Sequence, residues 1–122
     1  MCVQCSIISE NFVKTADKLE LTLLFHESAI FFRGHFENFP VLPGVVQLHY
    51  VVRFIEEYFY GNISVKSLGK VKFLKMIFPG RQVFLKLIKN DKTRFSFLFE
   101  AENRETCSSG EILLDCADHE IC

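Results

Sequence analysis

A single stretch of helical periodicity constrains the fold of this chain more than any other feature. Apolar residues recur three and four positions apart after the Pro43–Gly44 pair, and neither Gly nor Pro interrupts them before Gly61–Asn62. This pattern predicts one helix that runs to Tyr60, of about four to five turns at roughly 1.5 Å of rise per residue. The apolar positions are Leu48, Val51, Val52, Ile55, Tyr58 and Phe59.

The segments on either side of this helix alternate with a period of two, which is typical of strands. Lys18 to Phe25 places four apolar residues on one face, and Ser28 to Phe32 is predicted to be its continuation or partner. Four more strands are predicted after the helix, as an antiparallel meander with turns at Pro79–Gly80, Asn90–Asp91 and Ser108–Ser109–Gly110. Their apolar positions are Val71, Phe73, Val83, Leu85, Leu87, Phe95, Phe97, Phe99, Ile112 and Leu114.

The order of these elements determines the fold class. Two strands, one long helix and four strands lack the alternating strand–helix units of a doubly wound sheet. We therefore predict an α+β domain in which a curved antiparallel sheet wraps around one long central helix. The chain fits a single domain, residues 1–122 with a core from about 18 to 115, and its 14 Phe residues suit such a core.

Charge and hydropathy argue against several classes of partner. The 14 Lys and Arg residues against 15 Asp and Glu residues give a formal charge of -1, so no basic field favours nucleic acid. No apolar run approaches the roughly 20 residues that a membrane-spanning helix requires. The first residues lack a basic segment followed by an apolar one, so we expect a cytoplasmic protein.

The cysteines offer one alternative. Five cysteines form an odd set, which supports no disulfide framework. Cys2 and Cys5 near one terminus, and Cys116, His119 and Cys122 near the other, have spacings that suit a zinc clasp. Neither cluster has the context of a zinc ribbon or knuckle, so frayed terminal cysteines are the favoured interpretation. We expect no metal and no cofactor.

The segment from Gly34 to His49 contains the candidate catalytic and binding residues. His35 stands in an irregular loop whose backbone is restricted by Pro40 and Pro43. Gly44 follows at the start of the predicted helix, where it permits a ligand to approach unpaired backbone N–H groups. Such a helix start suits a carbonyl oxygen that gains negative charge during a reaction.

Four motifs carry a resemblance to a known family: His35–Phe36, the run from Pro40 to Leu48, Lys72–Phe73 and Pro79–Gly80. From about Lys18 to Asp115 the chain is similar to the 3-hydroxyacyl-(acyl carrier protein) dehydratases of the FabA/FabZ type. The short sequence with its LPGVVQL run looks most like the aryl-polyene-type branch. The resemblance implies the hotdog fold, with a sheet wrapped around one helix.

The resemblance also implies roles for individual residues. In these dehydratases a loop histidine removes the α-proton of a 3-hydroxyacyl thioester, the amide of the first helical glycine holds the thioester oxygen, and an acidic residue handles the departing hydroxyl. By position, His35 is the base, Gly44 is the oxyanion donor and His49 occupies the place of the acid. The residues implied to bind substrate are Phe36, Phe39, Val41, Leu42, Pro43, Val45 and Gln47. The phenylalanines, Val41 and Leu42 would otherwise be assigned to the core.

His49 departs from the family pattern, and several interpretations stay open. A protonated imidazole could act as the general acid, or His49 could orient a water or the hydroxyl while Tyr50 or another group supplies the proton. The protein could also have lost dehydration and kept thioester binding. Alternatively, His49 begins a polar helix stripe with Arg53, Glu56 and Tyr60, in which Arg53 would discourage its protonation.

Three functions therefore compete. The first is a lyase that dehydrates a 3-hydroxyacyl thioester to a trans-2-enoyl thioester. The second is a hotdog thioesterase, which needs a carboxylate to activate water, with Glu37 or Glu56 as the candidates. The third is a non-catalytic subunit that binds acyl thioesters, a hypothesis suggested by His49.

The resemblance also indicates partners. It implies an acyl carrier protein or coenzyme A thioester as substrate, and a homodimer or higher oligomer with the active site at the subunit interface. A cluster of positive charges flanks the Pro79–Gly80 turn and is either a solvated sheet face or a docking site for an acidic carrier protein. Its members are Lys66, Lys70, Lys72, Lys75 and Arg81.

Overall fold

The computed structural model describes residues 5–26 and 41–115 of the 122. The predicted strand at residues 28–32 lies outside them. The described elements are β1 Cys5–Lys14, β2 Lys18–Phe25, α1 Gly44–Tyr58, β3 Val65–Phe73, β4 Gln82–Lys89, β5 Arg94–Ala101 and β6 Thr106–Leu114. The predicted helix is confirmed, and it ends two residues before Tyr60.

The six described strands form one antiparallel sheet in the order β1-β2-β4-β5-β6-β3. The predicted meander is confirmed for β4, β5 and β6 but is wrong for β3, which pairs with β6 at the edge of the sheet. The β3–β4 connection, residues 74–81, explains this placement. The backbone N–H of Leu74 bonds to the Cys107 carbonyl in β6, and that of Gly80 bonds to the Phe25 carbonyl in β2. The connection therefore crosses the sheet from β6, next to the β3 edge, to β2, near the opposite edge.

Strand β1 was not predicted from the sequence. Its register shifts between Ile8 and Val13, and the chain between them reads Ser-Glu-Asn-Phe without strict alternation. Because this irregularity interrupts the alternation of apolar and polar residues, the sequence pattern does not indicate a strand here. Cys5 pairs with Phe25 at its start, so the expectation of a frayed end is wrong at that residue. The other members of the suggested zinc clasp lie outside the described residues.

The turn predicted at Ser108–Ser109–Gly110 is wrong, because these residues lie within β6. The chain instead turns between β5 and β6, where Arg104 has a φ of 67°. Small residues are needed here because β6 packs closely against its neighbours. A Cβ added to Gly110 would lie 2.7 Å from the Phe97 ring, and the fully buried Ser108 hydroxyl bonds to α1.

Helix α1 packs against one face of this sheet. The helix contributes Val51, Phe54 and Ile55 to the core, all fully buried. The predicted apolar face of β2 is confirmed as core. The Thr22 side chain, predicted to face outward, is also fully buried. No helix in the described ranges is long and apolar enough to span a membrane. The sheet residues of the core are Leu19, Leu21, Leu23, Phe25, Val83, Leu85, Leu87, Phe95, Phe97, Phe99, Cys107, Ile112 and Leu114.

Candidate functional site

The start of α1, together with the residues just before it, forms the most constrained backbone of the candidate site. We call residues 41–44 the helix entrance. Pro43 is extended, with φ -61° and ψ 146°, and its carbonyl accepts from the N–H groups of Val46 at 3.0 Å and Gln47 at 3.1 Å. No side chain of the described residues caps the helix. The N–H groups of Gly44 and Val45 therefore begin the helix with no acceptor inside it, beside the positive end of the helix dipole.

A close aromatic contact explains why the first helical residue is a glycine. A Cβ added to Gly44 would lie 2.7 Å from the Phe73 ring, so any side chain at this position would require that ring or the helix start to shift. Phe73 ends β3 and remains 51% exposed. Because its ring also lies next to Gly44, Phe73 forms one side of the helix entrance. The sequence predicts Phe73 as an apolar strand position within a family motif but not its contact with Gly44, because the two residues are 29 positions apart, the difference between 73 and 44.

A buried hydrogen-bond network holds the helix entrance to the sheet. The Leu42 N–H donates to the Ile77 carbonyl at 2.8 Å, and the Leu42 carbonyl accepts from the Gln47 side-chain amide at 3.1 Å. The amide oxygen of Gln47 accepts from the Ser108 hydroxyl at 2.7 Å. All four of these residues are buried. Three chain segments thus meet at one peptide, and no local sequence pattern indicates the contributions of Ile77 and Ser108.

The structure brings together several of the predicted substrate-binding residues. Leu42 and Gln47 are buried, Val41 and Pro43 are half-buried, and Val45 is 74% exposed. Both the nitrogen and the oxygen of the Gln47 side-chain amide form hydrogen bonds within the protein, so Gln47 helps to hold the helix entrance in place. The other predicted site residues, His35, Phe36 and Phe39, lie outside the described residues.

His49 lies on the exposed face of α1, five residues after Gly44. Its ring meets that of Tyr50 edge-on, with centroids 5.8 Å apart. Arg53, one turn further along, is also exposed, whereas Glu56 is half-buried and accepts from the Ile63 N–H at 3.3 Å. Glu56 thus stabilises the chain that leaves the helix. His49 and Arg53 remain open to a substrate or a second subunit.

Tyr50, the other predicted proton source, lies in the core. Its ring packs against Phe25 and Phe54 in the core, with centroids 5.3 and 6.2 Å away. Burial raises the pKa of its phenol. The hydroxyl therefore stays protonated at neutral pH and is a weaker acid than an exposed tyrosine.

A surface groove of about 760 Å³ runs between the β3–β4 connection and the β5–β6 turn. Ile77, whose carbonyl anchors the helix entrance, also lines this groove. Lys75 pairs with Glu105 across it, and the Gln82 N–H donates to the Glu102 carboxylate at 3.0 Å. The groove therefore shares a wall with the candidate site.

The predicted cluster of positive charges is exposed throughout. Lys75 is paired with Glu105, and Lys70 lies 3.8 Å from Glu111. The three other cations of the cluster, Lys66, Lys72 and Arg81, form no ion pair within the described part of the chain. Residues 5–26 and 41–115 contain no group of three side chains placed to hold a metal ion.

Comparison with known proteins gives this site a context. A family model described as ApeI-like, ApeI dehydratase, matches residues 11–111. The chain belongs to the ApeI-like dehydratase family. This membership confirms the dehydratase resemblance and fits the aryl-polyene-type branch. Comparison with curated proteins gave no match.

Solved structures of similar fold support the assignment. A structure described as the dehydratase heterocomplex ApeI:P from Xenorhabdus doucetiae has 27% identity and a TM-score of 0.79, over 89% of this chain and 97% of that one. An uncharacterized protein from Erwinia carotovora subsp. atroseptica has 30% identity and a TM-score of 0.77, over 91% and 95%. Thioesterase superfamily member 2 from Mus musculus, at 11% identity and a TM-score of 0.66 over 91% and 80%, shares the fold alone. The fold is the hotdog fold, as predicted.

Proposed function

We propose that this chain is a hydro-lyase that removes water from a 3-hydroxyacyl thioester and yields a trans-2-enoyl thioester. The observation that carries the proposal is the helix entrance. In this member of the ApeI-like dehydratase family, α1 begins at Gly44 without a side-chain cap. The Phe73 ring occupies the space that a side chain at Gly44 would need. That backbone suits a thioester oxygen that becomes negatively charged.

In the proposed reaction, His35 takes the α-proton of the substrate, and electron density moves onto the thioester oxygen. The Gly44 N–H stabilises that oxygen. The β-carbon–oxygen bond then breaks, and a protonated His49 gives its proton to the departing hydroxyl, which leaves as water. The electrons return to form the α–β double bond, so one water and one enoyl thioester result. The role of His35 follows the family motif, and the role of His49 rests on its position, where the family has an acidic residue.

We propose that the working unit is a homodimer. Strand β3 is an edge of the described sheet, and its side chains Val65, Leu68 and Phe73 are all at least 40% exposed. Two such edges can pair antiparallel and cover this apolar surface. The relative from Xenorhabdus doucetiae is described as a heterocomplex, so a non-identical partner is the alternative.

The substrate is proposed to be carried by an acyl carrier protein or by coenzyme A. Lys66, Lys72 and Arg81 are exposed cations without an ion pair among the described residues, and they suit an acidic carrier protein. A carrier protein that docks on them gives a KM that rises with salt, because exposed charges are screened within about 10 Å at 0.1 M. The coenzyme A thioester then serves as the comparison in the same assay.

A non-catalytic acyl-thioester-binding subunit is the second candidate, and the observation in its favour is His49 in place of an acid. A thioesterase is less well supported. Of its two carboxylates, Glu56 is engaged with the Ile63 N–H, and Glu37 lies outside the described residues.

An assay of both reaction directions separates these functions. The protein is supplied with 3-hydroxyacyl and trans-2-enoyl thioesters, and both the enoyl absorbance and the released thiol are followed. The proposal predicts interconversion of the two thioesters without thiol release. Thiol release alone would establish a thioesterase, and binding without turnover would establish the non-catalytic subunit.

A further inference from the structure

We infer that Ser108 is a positioning residue for the helix entrance. Through the Gln47 amide it fixes the Leu42 peptide, and thereby the backbone that presents the Gly44 N–H. The catalytic part of this inference rests on the proposed dehydratase function. The family motif assigns no role to Ser108, and the local sequence pattern predicts only a turn there.

The chemistry of the contact permits one arrangement. The Leu42 carbonyl can only accept, so the nitrogen of the Gln47 amide must face it, at 3.1 Å. The amide oxygen then faces Ser108, which must donate, at 2.7 Å. Ser108 is fully buried and Gln47 is 4% exposed, so water does not readily replace either partner. The serine hydroxyl therefore sets the orientation of the amide.

The Leu42 peptide is held from both sides. Its N–H donates to the Ile77 carbonyl at 2.8 Å, while its carbonyl is bound by Gln47. Only Pro43, with its ring-fixed φ, separates Leu42 from Gly44. Because so few rotatable bonds intervene, a displaced Leu42 peptide moves the Gly44 N–H with it. A shift of about 1 Å in a catalytic group can lower turnover on the order of 10²-fold.

The test compares Ser108→Ala with Ser109→Ala. The two serines are neighbours in β6, and their side chains point to opposite faces of the strand. Both variants lose one hydroxyl, but only Ser108→Ala removes the donor to Gln47. If Ser108→Ala fails to fold, Ser108→Cys retains the volume and leaves a weak donor. Thermal unfolding of every variant reports the structural effect separately.

Two readouts distinguish positioning from a merely structural role. For Ser108→Ala we expect kcat to fall roughly 10- to 100-fold with KM within about threefold of wild type. We also expect the NMR amide signal of Gly44 to shift. Ser109→Ala should leave both unchanged. Gln47→Met should reproduce the loss, and adding Ser108→Ala to it should lower kcat no further, because both changes break one relay.

The outcomes separate this inference from the proposed function. An unshifted Gly44 signal in Ser108→Ala, or an unchanged kcat in an active protein, overturns the positioning role. A wild-type protein without dehydration refutes the proposed function instead. The Gly44 signal then decides the positioning role alone: a shift supports it and no shift overturns it.

Discussion

At the scale of the residue, Gly44 is the most constrained position of the candidate site, because the Phe73 ring occupies the space of a side chain. Gly44→Ala would place its Cβ 2.7 Å from that ring. Either Phe73 or the helix start must move, at a cost of about 1–3 kcal/mol in stability. We expect a larger relative loss in kcat, roughly 10- to 100-fold, because the displaced group is the proposed oxyanion donor.

A double variant tests the cause of that loss. Phe73→Leu shortens the obstructing ring, so Gly44→Ala added to Phe73→Leu should cost less than Gly44→Ala alone. Steady-state kinetics and thermal unfolding measure both effects. Equal costs in the two backgrounds would show that the Phe73 contact does not explain the glycine.

His49 is the residue whose chemistry departs most from its family. If it protonates the leaving hydroxyl, His49→Ala lowers kcat by about 10²- to 10⁴-fold and changes thioester affinity little. His49→Glu restores a carboxylic acid and should preserve or raise kcat. Initial rates of the three proteins, with thioester affinity measured alongside, check these effects.

Arg53→Ala is the matched control for these variants, since Arg53 is exposed one turn further along α1. Unchanged rates in both His49→Ala and Arg53→Ala would leave His49 as part of a polar helix face. An inactive wild type that gains dehydration in His49→Glu would show a thioester-binding protein that lacks its acid.

At the scale of the element, β6 depends on small residues that a turn prediction misreads. Gly110→Ala would place its Cβ 2.7 Å from the Phe97 ring and 3.0 Å from Val71, so we expect a loss of about 1–3 kcal/mol in unfolding free energy. Gly69→Ala is the control in β3, where nothing lies within 4 Å, and should change the free energy by less than about 0.5 kcal/mol. Urea denaturation measures both. Equal losses would contradict the packing explanation.

The helix and its flanking strands were predictable because their patterns are local. The spacing of apolar residues in α1 and the alternation in β2, β4 and β5 follow directly from which face each element buries. The partner of β3 was not predictable in this way. Its pairing with β6 depends on a crossing connection, and no local pattern encodes a partner 30 or more residues away.

The same distinction between local and long-range features applies to the candidate site. Pro43–Gly44 predicts the helix start, because proline and glycine restrict or permit specific backbone conformations locally. The contact of Gln47 with Ser108 joins residues 61 positions apart and exists only once α1 packs on β6. The serines were therefore misread as a turn, since their composition alone suggests one.

At the scale of the whole molecule, the exposed apolar edge of β3 predicts a dimer. Leu68 is 46% exposed on that edge. Leu68→Lys should convert the dimer to a monomer at micromolar concentration, because a new charge would be buried between two edges that already carry lysines. The activity should fall with the dimer fraction, since the proposed site lies at the interface. Light scattering during size-exclusion chromatography measures the mass.

Val13→Lys is the control, because Val13 is 40% exposed in β1 at the opposite edge. It should leave the dimer intact. A wild type that is monomeric and fully active would refute the dimer, and a monomer that becomes active on adding a second hotdog chain would establish a heterocomplex.

The proposed activity of this protein is to make enoyl thioesters by general-base dehydration. The most direct measurement is the rate at which wild type and His35→Ala form a trans-2-enoyl thioester from a 3-hydroxyacyl thioester, with circular dichroism to confirm folding. We predict turnover by wild type and a loss of about 10²- to 10⁴-fold in a folded His35→Ala. Near-normal turnover by His35→Ala, or none by wild type on carrier-protein and coenzyme A thioesters alike, would contradict general-base dehydration by His35.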